Sequence, residues 1–211
     1  MRRHQSGFTL IEIAIVLVII GLLLGGILKG QELINSARVK NLAADFRNIP
    51  IFIYGYQDKF RSLPGDDSAV AAHLGTSATA ATPALTLGNG VIDGAWDQAG
   101  PSTAESFLFW QHVRLAGLAA GATVTTAGDY APTNSVGSRI GVQSAAPITG
   151  IKGTYFICSA GIQGKFVKQL DTQLDDGNTA TGSMMAGDTL PAATGTASIV
   201  DATPYTVCLG I

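Results

Sequence analysis

The chain has 211 residues and a formal net charge of -2, and charged residues make up only 13% of it, against roughly 25% in an average soluble protein. This composition excludes an intrinsically disordered chain, which would be rich in charge and poor in apolar residues. The length suffices for one ordinary globular domain and an appendage, and the single apolar segment of membrane-spanning length excludes a polytopic membrane protein.

Residues 8–28 form that apolar segment, which reads FTLIEIAIVLVIIGLLLGGIL. As a helix these residues would extend about 32 Å, which matches the ~30 Å hydrocarbon core of a bilayer. The segment is longer than the ~7–15 apolar residues of a cleaved secretory signal, and no clear small-residue cleavage site follows it. These features favour a retained transmembrane helix, but the run alone leaves a cleaved secretory signal as the alternative.

Glu12 is a carboxylate inside this apolar segment. Placing a carboxylate there costs roughly 2.5–3.5 kcal/mol on membrane-insertion scales. A glutamate at this position therefore has a partner or a function, or it reaches the headgroups from near the end of the span. On this residue alone, both alternatives stay open.

The residues around Glu12 form a more specific motif. After a short leader with two arginines, the chain reads Ser6-Gly7-Phe8-Thr9-Leu10-Ile11-Glu12. A glycine before an apolar residue, with a glutamate four residues further on at the start of an apolar helix, resembles the N-terminus of type IV pilins and of type II secretion pseudopilins. The match covers the leader, the motif and the apolar run.

This resemblance implies a processing site and an assembly site. A prepilin peptidase would cut between Gly7 and Phe8, remove the leader peptide 1–7 and N-methylate the new Phe8 amine. Glu12 would then pair with the Phe8 ammonium of a neighbouring subunit. Two charges in an apolar bundle are tolerable when paired, so this pair would fix the axial register of a filament.

The resemblance also implies where the protein lies and what it binds. Before assembly, the chain would cross the inner membrane once, with a cytoplasmic N-terminus and a periplasmic head. After assembly it would lie in a pilus or pseudopilus filament. The implied partners are copies of itself, other pilins, the prepilin peptidase and the inner-membrane assembly platform.

Residues 29–62 are predicted to continue the helix in amphipathic form. Their apolar side chains recur at alternating spacings of three and four, which is a helical period. The face that they form is predicted to pack on the protein's own globular head, residues 63–211. The stripe consists of Val39, Leu42, Phe46, Ile49, Ile53, Tyr56 and Phe60.

The head is predicted to have an α+β, pilin-like fold, with an antiparallel sheet packed on the long helix and loop-rich insertions. We expect loops in 68–100 and 120–150, and a helix over 102–118 that opens with a capping box from Ser102 to Glu105. The predicted strands are 154–158, 164–168, 197–200 and 205–209. The head also resembles long pilin-like proteins in its LPGD motif at 63–66 and its GNG turn at 88–90.

Cys158 and Cys208 are the two cysteines. In a domain outside the cytoplasm, an even count favours one disulfide, and a similar bridge ties the C-terminal region of pilins to their sheet. Two buried thiols are the alternative.

Few residues point to metal binding or catalysis. Asp171, Asp175 and Asp176 form a weak calcium candidate, but their spacing does not match an EF-hand loop, and an acidic turn is the preferred interpretation. The chain contains no HExxH, G-x-S-x-G or phosphate-binding glycine motif. We therefore predict no catalytic residues, no enzymatic activity and no required cofactor.

Charge disfavours nucleic acid as a partner. Residues 62–211 carry five basic and eleven acidic side chains, a net charge of -6, which is a poor match for phosphate backbones. The preferred hypothesis is a structural filament subunit, with a slight preference for a pilus. The alternatives are a type II secretion pseudopilin, a minor pilin for adhesion or DNA uptake, and an anchored enzyme.

Overall fold

The computed structural model describes residues 9–83, 86–192 and 194–211. The first element is helix α1, Leu10–Phe60, which has 51 residues and continues through Pro50. By length and composition, it is the one helix in these ranges that could cross a membrane. The three other helices are α2 (Val70–Leu74), α3 (Glu105–Leu115) and α4 (Gly164–Leu174).

Four strands form one antiparallel sheet. They are β1 (Ile140–Gln143), β2 (Phe156–Gln163), β3 (Met184–Gly187) and β4 (Pro204–Gly210), in the order β1-β2-β4-β3. In the central pair, Cys158 lies directly opposite Cys208. The long helix and the antiparallel sheet confirm the predicted α+β, pilin-like fold class.

The chain divides into two compact units, residues 1–38 and 39–211. The second unit has a hydrophobic core to which α1, α3, α4 and the sheet all contribute. The predicted α1 stripe is confirmed from Val39 to Tyr56, since its side chains in this range are all buried. Phe60, the last residue of the stripe, is half-buried at the end of the helix.

Two of the four predicted strands are wrong. Residues 164–168 begin helix α4, because Phe166, Val167 and Leu170 bury one helical face against the core. Residues 197–200 lie outside regular structure. Their role is to pack against the start of α4, where a Cβ on Gly164 would collide with the Val200 carbonyl. The predicted strands at 154–158 and 205–209 correspond to β2 and β4, while β1 and β3 were missed.

The predicted capping box of α3 is also wrong. The N-cap residue is Ala104, which has no side-chain cap. Ser102 instead accepts a hydrogen bond from the Ala104 N–H, and Glu105 Oε2 accepts one from the Asp93 N–H at 2.8 Å. The glutamate thus fixes a neighbouring loop and does not close its own helix.

Candidate assembly and processing site

The described part of the chain begins one residue after the predicted cleavage site. Gly7 and Phe8, with the proposed cleavage and N-methylation, lie outside the described residues, as does the leader 1–7. The site is therefore described from Thr9 onward.

Thr9 and Glu12 form reciprocal hydrogen bonds at the start of α1. Glu12 Oε2 accepts hydrogen bonds from the Thr9 N–H at 2.8 Å and from the Thr9 hydroxyl at 2.7 Å. The Glu12 N–H donates in return to Thr9 Oγ1 at 3.3 Å. This reciprocal pattern is a capping box, which satisfies two backbone donors that a helix start otherwise leaves free.

Glu12 was a predicted site residue, whereas its partner Thr9 was missed. The signal was present, because a threonine followed three residues later by a glutamate at a helix start predicts a capping box. Both bonds to the glutamate end on Oε2, so Oε1 accepts none from the described residues. That oxygen remains available to a second donor.

The apolar segment after this site exposes its side chains. From Thr9 to Lys29 every residue is exposed, and none of the most apolar window of α1 is buried. Exposing this many leucine and isoleucine side chains to water is unfavourable, so the segment requires lipid or another apolar partner.

In the head, the predicted disulfide is confirmed. Cys158 and Cys208 are bonded across β2 and β4, and both are completely buried. The bridge closes a sequence separation of 50 residues. It therefore ties the C-terminal strand to the centre of the sheet.

The LPGD motif at 63–66 and the GNG turn at 88–90, in which the head resembles long pilin-like proteins, contact each other in the structure. Asp66, from the LPGD motif, accepts hydrogen bonds from the backbone N–H groups of Gly88, Asn89 and Gly90 in the GNG turn. Burial raises the pKa of Asp66, although the three N–H donors act in the opposite direction. Gly65 next to it has φ +94, and a Cβ there would collide with the Glu105 carbonyl. The two motifs thus brace one loop against another.

A second buried carboxylate links this loop to α1. Asp67 accepts hydrogen bonds from the Tyr56 hydroxyl at 2.7 Å and the Ala69 N–H at 2.9 Å, and it contacts His73 Nδ1 at 2.7 Å. Burial alone would raise the pKa of Asp67, but the bonds from His73 and Tyr56 prevail and lower it. The Tyr56 side chain is completely buried, so this group has a structural role.

His112 joins the same loop to α3. Its Nδ1 accepts the Gly65 N–H at 2.9 Å and its Nε2 lies 2.8 Å from the Thr79 carbonyl oxygen, so the ring is neutral with the proton on Nε2. Burial lowers the pKa of His112. His112 is therefore a structural bridge between this loop and α3.

The three calcium candidates lie at the end of α4. Asp175 accepts hydrogen bonds from Ser183 and from the Met184 N–H, while Asp176 accepts one from the Asn178 N–H. Asp171 is buried, and burial raises its pKa to about 6. In the described ranges no group of three or more His, Cys, Asp or Glu side chains could hold a metal ion. The acidic turn stays the preferred interpretation and calcium binding the weaker alternative.

Comparison with known proteins supports the interpretation of the N-terminus. The prokaryotic N-terminal methylation motif matches residues 2–28, which include the leader, Glu12 and the apolar segment. No curated protein and no solved structure matches the chain. The match shows that residues 2–28 carry the signature of prepilin-type cleavage that type IV pilin and pseudopilin precursors share.

Proposed function

We propose that the chain is a structural subunit of a type IV filament that polymerises through its N-terminal helix. The observation that carries this proposal is the methylation motif at residues 2–28, followed by a helix whose apolar side chains are exposed. A prepilin peptidase cuts after Gly7 and methylates Phe8. The domains are the leader 1–7, the transmembrane and assembly helix 8–28, its amphipathic continuation 29–62 and the head 63–211.

The exposed helix supports both stages of this life cycle. In the precursor, the lipid core covers the apolar side chains, with the N-terminus in the cytoplasm and the head in the periplasm. In the filament, the same side chains pack on those of neighbouring subunits. Glu12 keeps its Oε2 bonds to Thr9 and accepts the Phe8 ammonium of a neighbour on Oε1.

The preferred filament is a pilus, and a type II secretion pseudopilus is the alternative. A head of roughly 150 residues with a buried disulfide is common in a pilus subunit or a minor pseudopilin, and is long for a major pseudopilin. A minor pilin for DNA uptake is less favoured, because the net charge of -6 on residues 62–211 repels phosphate. The partners are other copies, other pilins and the assembly platform.

The proposal is tested by changing Glu12 and a matched control in the native host. Glu12→Val removes the carboxylate that pairs with Phe8. Glu32→Val removes an exposed carboxylate of the same helix, whose partner is Lys29 at 2.6 Å. Because breaking one partner of a buried ion pair costs about 3–5 kcal/mol, Glu12→Val should lower the filament yield in sheared surface fractions by about 100-fold or more.

The control should assemble normally, since exposed ion pairs contribute less than about 1 kcal/mol. Normal filament yield from Glu12→Val would contradict the proposal. Equal loss from both variants would also contradict it, because the effect would then not be specific to the proposed pairing site.

A further inference from the structure

The second unit, residues 39–211, contains a cavity that takes about half of its lining from helices and a strand and the rest from the loops at 119–133. Its volume is about 340 Å³, within the range of small-molecule sites. One wall comes from α1, a second from α3, and Ile140 of β1 adds to the lining. Three other cavities of the head take most of their lining from loops. Sites on regular elements hold their side chains more rigidly than sites on loops.

The lining combines an apolar side with hydrogen-bonding groups of both kinds. Ile49, Phe52 and Trp110 supply the apolar side. The polar groups are Asp45 and Asp129, which accept hydrogen bonds, Arg114, which donates, and Asn48 and Thr133, which do both. A ligand that fits must therefore carry an apolar face together with groups that donate and accept.

Two side chains of the lining carry a buried donor without a partner. Trp110 Nε1 and Arg114 Nε are buried, and neither forms a hydrogen bond with the described residues. Arg114 Nη1 is bound by the carbonyls of Ala122 and Tyr130, and the guanidinium has no salt bridge within the described part of the chain. Folded proteins rarely leave buried donors unpaired, and such positions call for an explanation in function.

We propose that this cavity binds a neutral pyranose sugar. A pyranose has an apolar C–H face, and its hydroxyls donate and accept at once, which matches the lining. Asp45 and Asp129 outnumber Arg114, so the cavity carries a net negative charge and disfavours uronic and sialic acids. The proposal is independent of filament assembly, and it would give the head a glycan-binding activity.

The test uses the full chain purified in a phosphocholine detergent, since maltoside or glucoside headgroups would compete for the cavity. Glucose, galactose, mannose, N-acetylglucosamine and N-acetylgalactosamine are titrated, with glucuronic acid as the charged comparison. Tryptophan emission is the readout, because Trp110 lies in the cavity wall. At least one neutral sugar should bind with a Kd of about 1–10 mM, and glucuronic acid about tenfold more weakly.

Two pairs of variants locate the binding. Asn48→Leu changes the cavity, while Asn41→Leu changes an exposed asparagine one heptad earlier on α1, outside the lining. Asp129→Asn and Asp188→Asn form the second pair, with only Asp129 at the cavity. Each cavity variant should weaken binding about tenfold, and each control by less than about twofold.

Methyl glycosides separate two sources of the sugar. Binding of the methyl glycoside as well as the free sugar indicates the terminal unit of a glycan, and binding of the free sugar alone indicates a free monosaccharide. The proposal is overturned if no neutral sugar binds saturably below about 100 mM. It is equally overturned if the cavity variants bind as well as their controls.

Discussion

The two units of this chain are built on opposite principles. In residues 10–29 the side chains are exposed and, apart from Glu12 and Lys29, apolar, so this segment requires lipid or other copies to cover it. In residues 39–211 the apolar side chains form one large core and a smaller cluster around the disulfide. From this difference we expect changes in the apolar segment to act on assembly and changes in the core to act on folding.

The largest expected effect tests the stability of the head. Replacing Cys158 and Cys208 together by alanine removes a bridge across a separation of 50 residues. The chain-entropy model gives a loss of about 3–4 kcal/mol in the free energy of unfolding. Denaturant unfolding of the full chain in detergent measures it, with the reduced wild type expected to lose the same amount. Cleavage after Gly7 should be unchanged, and loss of cleavage would break the separation of the two units.

The link between α1 and the LPGD loop should give the next largest effect. Asp67→Ala leaves the buried Tyr56 hydroxyl without its acceptor, which should cost about 2–3 kcal/mol of stability. Tyr56→Phe in the same background should cost little more, because the two side chains form one interaction. Tyr54→Phe is the control, since Tyr54 is exposed on the same helix. Additive losses in the double variant would contradict the assigned bond.

Asp67 and Asp171 should give opposite dependences on pH. The folded-state pKa of Asp67 is lowered, so its contribution to stability is present above the unfolded pKa and lost as the pH falls through the folded value. Burial raises the pKa of Asp171 to about 6, so its contribution is full below the unfolded value of 3.8 and lost as the pH rises through about 6.

Asp171→Asn should therefore flatten the decline in stability between about pH 4 and pH 7. Thermal unfolding across this range measures the effect, with Asp188→Asn, an exposed carboxylate, as the control. An unchanged pH profile in Asp171→Asn would show that the carboxyl is not desolvated in the fold.

The smallest expected effect is a loss of helix stability in the N-terminal unit alone. Thr9→Val keeps the shape of the side chain but removes the hydroxyl that bonds Glu12, which should cost about 1 kcal/mol of helix stability. Hydrogen exchange at Leu10 to Ile13 in micelles should accelerate, while Thr9→Ser should behave like the wild type. The melting temperature of the head should not move, and a shift would argue against independent units.

The sequence predicted the first unit better than the second because its signals are local. The apolar run and Glu12 are contiguous in the sequence, and the capping threonine that was missed, Thr9, lies only three residues from Glu12. In the second unit, the α1 stripe could also be predicted, because its helical period indicates one buried face. Predicting these features required no knowledge of contacts between residues far apart in the sequence.

In the head, long-range pairing overrode local preference. Strand β3 reads Met-Met-Ala-Gly, which has little intrinsic strand preference, and forms because it pairs with β4. Glu105 matched a capping box locally but bonds Asp93 of another loop. Asp66 and the GNG turn lie over twenty residues apart, so neither motif alone revealed the bond between them.

The central claim is that the chain is processed as a prepilin and polymerises through its N-terminus. The most direct test is the intact mass and N-terminal sequence of the protein from native membranes and from sheared surface filaments. The account predicts a chain that begins at N-methylated Phe8 in both fractions, with the leader 1–7 absent. A chain that begins at Met1, or one cut beyond Leu28, would contradict it.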